Sequence, residues 1–386
     1  MSALRVLFVN TGILGHRSVA RLVREAIAAD AGIEAVHVDL SAELTAGERV
    51  ARRLLAMGPR PGTAAGALTA ARFRHELDAG VRAARRIAAL EAKMGRFDVL
   101  HFHPQPAAWA SLRRMRRTPS VVSIDITQRL ASLEAPPGVV RRDYRLPAGR
   151  DRRVFRAAAA IISTSRWAAD DLAAEQPECA RKVRVMPYPV PLDGFGAEWA
   201  EERRAKSGDE LVRVLFVGGD FARKGGAELL EAWRAGGFAE RARLTLVTDA
   251  PLDALPPGVD AVRGIRAYTP AWFALWRAAD VFAMPTRGEA FGMVYQEAAA
   301  AGIPAIGTAI NAIPEIVVDG ETGILVPPGD GDALVAALRR LIESPEQRWA
   351  MGTAARRRIE ETGSTSIYGK QLGMVIREAA AGGARG

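Results

Sequence analysis

The sequence predicts an α/β protein built from two parallel-sheet domains, and three observations support this. The first is length: 386 residues exceed what one hydrophobic core usually supports, and with 49% of them apolar each of two domains can bury its own core. The second is a repeated plan. A short apolar run, a glycine-rich turn and a helical pattern open the chain at residues 4–10, 12–15 and 19–29, and the same order returns at 211–217, 218–226 and 227–235. The third is the break between them, where Pro187-Tyr-Pro-Val-Pro-Leu-Asp193 disfavours both helix and strand and reads as the linker.

In chain order, residues 4–10 suit a buried parallel strand, and the turn after it carries Gly12, Gly15 and His16. Its amides face a helix N-terminus, a natural place for an anion. G-x-x-G is not the dinucleotide fingerprint G-x-G-x-x-G. Residues 35–40 read as the second strand, and 42–94 as mostly helical with a break at 57–62. Arg49, Arg52, Arg53 and Arg60 flank Leu54, Leu55 and Met57 there, a mixture that suits an interfacial amphipathic segment or a helix packed on its own sheet. Residues 97–103 form a strand on which His101 and His103 share a face, with His103 expected to point into a ligand cleft. No carboxylate cluster accompanies the two in sequence, so zinc is not expected. Residues 112–117 read as a helix end carrying four arginines, and 120–127 as a strand ending in Asp125. A strand at 157–163, a helix capped by Ser165 and a strand at 183–186 complete the half.

The second half places Gly218, Gly219, Arg223 and Lys224 in a loop where glycines admit a phosphate and two cations neutralise it. Strands at 244–248 and 259–262 follow, then a turn holding Ile265. The apolar run 281–285 leads into a polar loop with Glu289, Ala290, Phe291 and Gly292, and then into an alanine-rich helix starting at Met293 and Val294. That helix carries Glu297 about one turn in, and Gly302-Ile-Pro304 stops it. Two carboxylates thus bracket a helix N-terminus suited to phosphate. Asp330-Gly-Asp332 reads as a helix cap rather than a metal pair, and residues 366–380 as a final helix crossing back to the first domain.

The charge is uneven. Of 53 Lys+Arg and 44 Asp+Glu, 31 and 18 fall in residues 1–192 and 22 and 26 beyond, so the halves stand near +13 and −4. An anionic acceptor, an anionic membrane surface or a merely solvated face would each account for this. The one cysteine, Cys179, has no partner for a disulfide or a metal site, and no run approaches a spanning helix. A cytoplasmic protein is expected, with nucleic acid not among its partners.

The run Glu289-x7-Glu297, with Phe291-Gly292 inside it and Ala-x-Ala-x-Gly-x-Pro behind it, resembles the signature of the retaining glycosyltransferases of family 4, also called group 1. The resemblance is close over residues 160–345 and looser before. It implies the glycosyltransferase B fold, two Rossmann-like domains facing across a cleft. Residues 1–190 with the terminal helix 364–386 would bind the acceptor, and 191–363 the nucleotide-sugar donor. It also implies transfer from a nucleotide-diphosphate sugar, with retention and without a metal or other cofactor, to a saccharide, lipid-linked or small-molecule acceptor. Glu289 would touch the donor sugar, the following amides and the Arg223–Lys224 pair the diphosphate, Glu297 the ribose, and Ile265 the nucleobase turn. Gly12, Gly15, His16, His103 and Asp125 would lie on the acceptor side. The chain departs from the pattern at Asp125, where a catalytic His is usual, at Gly219, where an Arg is usual, and at Asn311-Ala312, where paired glycines are usual. A nucleotide-sugar epimerase of the same fold and a catalytically inactive binding protein are the alternatives.

Overall fold

The computed structural model describes residues 3–12, 15–41, 48–49, 70–135, 141–204, 211–252 and 254–383. The Arg52, Arg53 and Arg60 segment lies outside them. The chain divides into two compact units, residues 1–189 with 365–386, and residues 190–364.

The first unit is a six-stranded, all-parallel sheet of β1 (Leu4–Asn10), β2 (Ile33–Asp39), β3 (Val99–His103), β4 (Ser120–Ile124), β5 (Ala160–Ser163) and β6 (Val183–Val185), in the order β2-β1-β3-β4-β5-β6. Parallel pairing requires helical crossovers that cover both faces, which is why β1, β3, β4 and β5 read as nearly unbroken apolar runs. The helix His16–Ala28 buries Val19, Leu22, Val23, Ala26 and Ile27, the spacing of one helical face. Against it lies the last helix, Thr365–Gly383. Their approach is close enough that a Cβ on Gly369 would stand 2.1 Å from the Ala26 carbonyl oxygen. Arg377 reaches Asp30 at 2.8 Å across the same seam.

The second unit repeats the plan with β7 (Val212–Val217), β8 (Ala242–Val247), β9 (Val259–Val262), β10 (Val281–Met284), β11 (Ala305–Thr308) and β12 (Gly323–Val326), in the order β12-β11-β10-β7-β8-β9. Its core joins both faces of this sheet, from Phe216 and Trp233 to Phe282, Tyr295 and Leu338. Asp330 caps the helix Gly331–Glu343 through its Oδ1, which accepts the Ala333 amide at 2.9 Å.

The helix end expected at residues 112–117 is present as a single turn, Leu112–Met115, preceded by the 3-10 turn Gln105–Ala108. Pro104, Pro106 and Pro119 leave no room for more. Arg114 instead pairs with Glu91 of the helix Ala71–Met94 at 2.9 Å.

Each sheet reverses its winding once, between β1 and β3 in the first unit and between β7 and β10 in the second. In open parallel sheets the loops leaving the carboxyl ends of such a strand pair diverge to opposite faces and leave a crevice for ligand. Apart from Ile265, which follows β9, the sequence-predicted site residues follow these four strands and β4 or lie in the elements those loops open into.

Candidate functional site

In the second unit the loops after β7 and β10 are locked together. Lys224 Nζ pairs with Glu289 Oε2, both side chains mostly buried. The Arg223 carbonyl accepts the Arg287 amide at 2.9 Å and the Thr286 hydroxyl at 3.1 Å, while its Nη1 donates to the Gly288 carbonyl at 2.6 Å and its Nε to Asp220 at 3.1 Å. Arg223 therefore braces the two loops as well as carrying charge. The approach requires Gly225, which has φ +76° and where a Cβ would stand 2.0 Å from the Pro285 carbonyl oxygen. Gly218 backs onto the Lys224 stem, whereas Gly219 opens onto empty space that a side chain would not contest.

The helix Met293–Ala300 starts at Gly292, whose φ of +92° turns the chain out of the loop, so its first N–H groups face Glu289 and Ala290. Phe291 is buried beside this turn, with Met293 and Val294 half-buried behind it. Glu297 is only 3% exposed, and its Oε2 has no hydrogen-bond partner among the described residues. Burial pushes its carboxyl up to about 8, with the Tyr268 side chain acting in the opposite direction. Ile265 is half-buried against the core, in a turn where the Gly264 amide donates to Asp249 Oδ1 at 2.8 Å.

Asn311 is a member of this site that sequence reading did not assign. It adopts φ 52°, the left-handed region that explains the usual glycine, and asparagine tolerates it better than most residues. Its Nδ2 donates to the Glu289 carbonyl at 3.2 Å, a bond glycine lacks.

In the first unit, β1, β3 and β4 deliver Asn10, His103 and Asp125 to one end of the sheet, and the helix N-terminus adds His16. The hydrogen bonds fix the protons. The Gly12 amide donates to Asn10 Oδ1 at 2.7 Å, so the Asn10 Nδ2 donor faces His103 Nδ1 at 3.0 Å. His103 Nδ1 is then the acceptor and Nε2 carries the proton, which it gives to the Tyr188 oxygen at 2.6 Å. Tyr188 in turn donates to Asp125 Oδ1, and His16 Nε2 lies 3.1 Å from Asp125 Oδ2. Burial alone would raise the Asp125 carboxyl, but the bonds from His103 and His16 outweigh it and hold it far below the usual range. Burial lowers His103 and raises Tyr188.

Two expectations are corrected here. A carboxylate does accompany His103, because β3 and β4 are neighbours in the sheet although distant in sequence. His103 does not project into the open cavity but lies buried beneath Asp125. His101 is buried too, bonded to Ser123 Oγ at 2.9 Å, with its imidazole pushed down to about 3 by burial and by His103. His16, His103 and Asp125 offer three ligand atoms within 4.8 Å of one another. The proton on His103 Nε2, enforced by the donor at Nδ1, is the wrong tautomer for a metal at that nitrogen.

Beside this cluster opens a cavity of about 790 Å³, lined by Thr11, Gly12, His16, Asp125, Arg72 and Arg82 among others. Arg72 pairs with Glu76 at 3.0 Å and Arg82 with Asp78 at 2.9 Å. Gly15 stands exposed at the start of the helix that carries His16. The volume and the mixed polar lining suit a polyhydroxylated molecule.

The family model for Glycosyltransferase Family 4 matches residues 15–193, and that for Glycosyl transferases group 1 matches residues 212–344. The D-inositol 3-phosphate glycosyltransferase of Pseudarthrobacter chlorophenolicus is 28% identical over 292 residues, covering 70% of this chain and 68% of its own. Among solved structures, a sucrose-phosphate synthase from Thermosynechococcus elongatus superposes with a TM-score of 0.73 at 20% identity, covering 98% of this chain and 100% of its own. HepE from Anabaena, in complex with UDP and glucose, gives a TM-score of 0.67 at 15% identity, covering 97% of this chain and 99% of its own. At these identities the structural likeness speaks for the fold, and the family models speak for the kind of enzyme. With two all-parallel six-stranded sheets and both family models matched in order, the chain belongs to the family 4, group 1 glycosyltransferases and has the glycosyltransferase B fold.

Proposed function

We propose that the protein transfers a sugar from a nucleotide-diphosphate donor held by the second unit to a polyhydroxylated acceptor held in the cavity of the first. On this reading the anomeric configuration is retained and no metal takes part. The observation that carries the reading is the pairing of Lys224 with Glu289 at the winding reversal of the second sheet, beside the N-terminus of the helix Met293–Ala300. A diphosphate leaving group needs positive potential where its charge develops. Lys224, Arg223 and the amides after Gly292 supply it without a cation from solution. Glu289 then meets the sugar, and Glu297, with one carboxylate oxygen unmatched, meets a ribose diol. The binding of UDP and glucose by HepE and the phosphorylated polyol named for the bacterial relative guide the choice of probes. An epimerase would need no second-substrate cavity, which speaks for transfer.

The test is a panel of UDP-glucose and GDP-mannose against inositol 3-phosphate and simple sugars, with products identified by mass and anomeric configuration by proton NMR coupling. Transfer with retention is expected for at least one pair. An isomerised donor without transfer, or an inverted linkage, would overturn the reading.

A further inference from the structure

We infer that Thr11, His16 and Asp125 form a proton relay that takes the hydroxyl proton of the acceptor, an inference that rests on the transferase reading above. Asp125 stands at the position where the family resemblance implies a histidine, and both of its oxygens are engaged. Its Oδ1 is engaged by Tyr188 and lies 3.4 Å from His103 Nε2, and its Oδ2 faces His16 Nε2 at 3.1 Å. What it does is orient His16. A carboxylate at Nε2 keeps the proton on that nitrogen, so His16 Nδ1 in the neutral ring is an acceptor. The group facing that acceptor is the Thr11 hydroxyl, 3.3 Å away. Thr11 must then donate its proton to His16, which leaves its oxygen lone pairs for a hydroxyl bound in the cavity that Thr11, His16 and Asp125 all line.

The arrangement is anchored. The bond from the Gly12 amide to Asn10 sets the His103 tautomer, His103 sets the Tyr188 proton, and Tyr188 leaves Asp125 ionised with one oxygen for His16. The His103 ring also meets the His16 ring edge-on at 4.7 Å, which restrains its rotation. The charged and titratable groups around His16 are Asp125, His103 and, next on its own helix, Arg17, whose Nε donates to the Gly12 carbonyl at 3.0 Å.

The step balances as follows. The acceptor oxygen bonds to the anomeric carbon on the face from which the diphosphate departs, as retention requires, and the bond from that carbon to the diphosphate oxygen breaks, its electron pair leaving with the diphosphate. The acceptor proton passes to Thr11 Oγ1 as the Thr11 proton passes to His16 Nδ1. The resulting imidazolium is balanced by the Asp125 carboxylate and returns its proton to solvent after product leaves. Thr11 and His16 are the catalytic residues of the relay, and Asp125 is a positioning residue.

Thr11→Val removes the hydroxyl at constant shape, and Thr11→Ser restores it. With the donor and acceptor pair that gives transfer in the panel, Thr11→Val is expected to lower kcat by about 10²–10⁴-fold, as losing a general base does, with KM for both substrates within about twofold. Thr11→Ser is expected to recover kcat to within about tenfold. UDP affinity by calorimetry should match wild type in both variants, which separates this step from donor binding. Wild-type kcat in Thr11→Val, or Thr11→Ser as slow as Thr11→Val, overturns the relay while leaving the transferase reading intact. Absence of transfer by the wild-type protein with every pair removes that reading and the relay with it.

Discussion

Lys224 and Glu289 leave the sheet on different strands, β7 and β10, and meet as a shielded ion pair where the second sheet reverses its winding. On the proposed reading the pair is poised for exchange: a diphosphate would take the ammonium from the carboxylate and leave Glu289 to a neutral sugar hydroxyl.

The two partners should therefore respond in opposite ways. Lys224→Ala is expected to weaken UDP binding by about 1.5–3 kcal/mol, roughly ten- to a hundredfold in Kd. Glu289→Gln should leave UDP affinity unchanged or tighter, because Lys224 no longer has a competing anion, while slowing sugar transfer. Calorimetry with UDP alone and turnover with the productive donor separate the two; equal weakening of UDP by both variants would contradict the exchange.

Asn311 offers a test of backbone against side chain. Asn311→Ala keeps the left-handed backbone at a cost of about 1–2 kcal/mol and loses the bond to the Glu289 carbonyl, whereas Asn311→Gly loses only the bond. The expected order of thermal stability is wild type and Gly close together and Ala lowest. Ala as stable as Gly would show that the backbone angle is relieved locally.

Glu297 makes stability fall with pH in a defined window. Its carboxyl is raised from 4.5 to about 8 by burial, so between those values the folded protein binds a proton that the unfolded chain does not. The protonated form is the one burial favours. This contribution is fully present below about 4.5, shrinks as pH rises, and levels off above about 8. Glu297→Gln, always neutral, removes the dependence. The Tm of Glu297→Gln relative to wild type should rise from pH 5 to pH 8 and then level, measured by calorimetric scans; a constant difference would place the titration elsewhere.

Transfer should survive excess EDTA, because the cations proposed to face the diphosphate are Lys224 and Arg223 and the His103 tautomer disfavours metal at Nε2. Loss of turnover in EDTA with recovery on adding manganese would require a metal in the donor site.

Gly369→Ala tests the seam between the last helix and His16–Ala28. With backbone oxygen where the new Cβ would stand, the helices must separate, and a loss of about 1–3 kcal/mol is expected. A denaturant midpoint equal to wild type would mean that the seam shifts at no cost.

The sequence by itself determined the two-sheet α/β architecture, because near-continuous apolar runs such as Val99–His103 and Val281–Met284 are affordable only in strands covered on both faces. It also determined the helix start at Gly292 and the cap at Asp330, since these rest on local backbone chemistry. The Glu289-x7-Glu297 spacing and the glycine-rich Lys224 loop were legible for the same reason. What only the tertiary structure decided was partnership across strands. Asp125 beside His103 and His16, Lys224 on Glu289, and Asn311 on the Glu289 carbonyl all follow from strand order, which hydrophobic pattern alone leaves open. The direction of each proton in the His103, Tyr188 and Asp125 cluster is likewise tertiary. It depends on Asn10, oriented by the Gly12 amide, meeting His103 Nδ1 at 3.0 Å from 93 residues away, a contact that no linear spacing encodes.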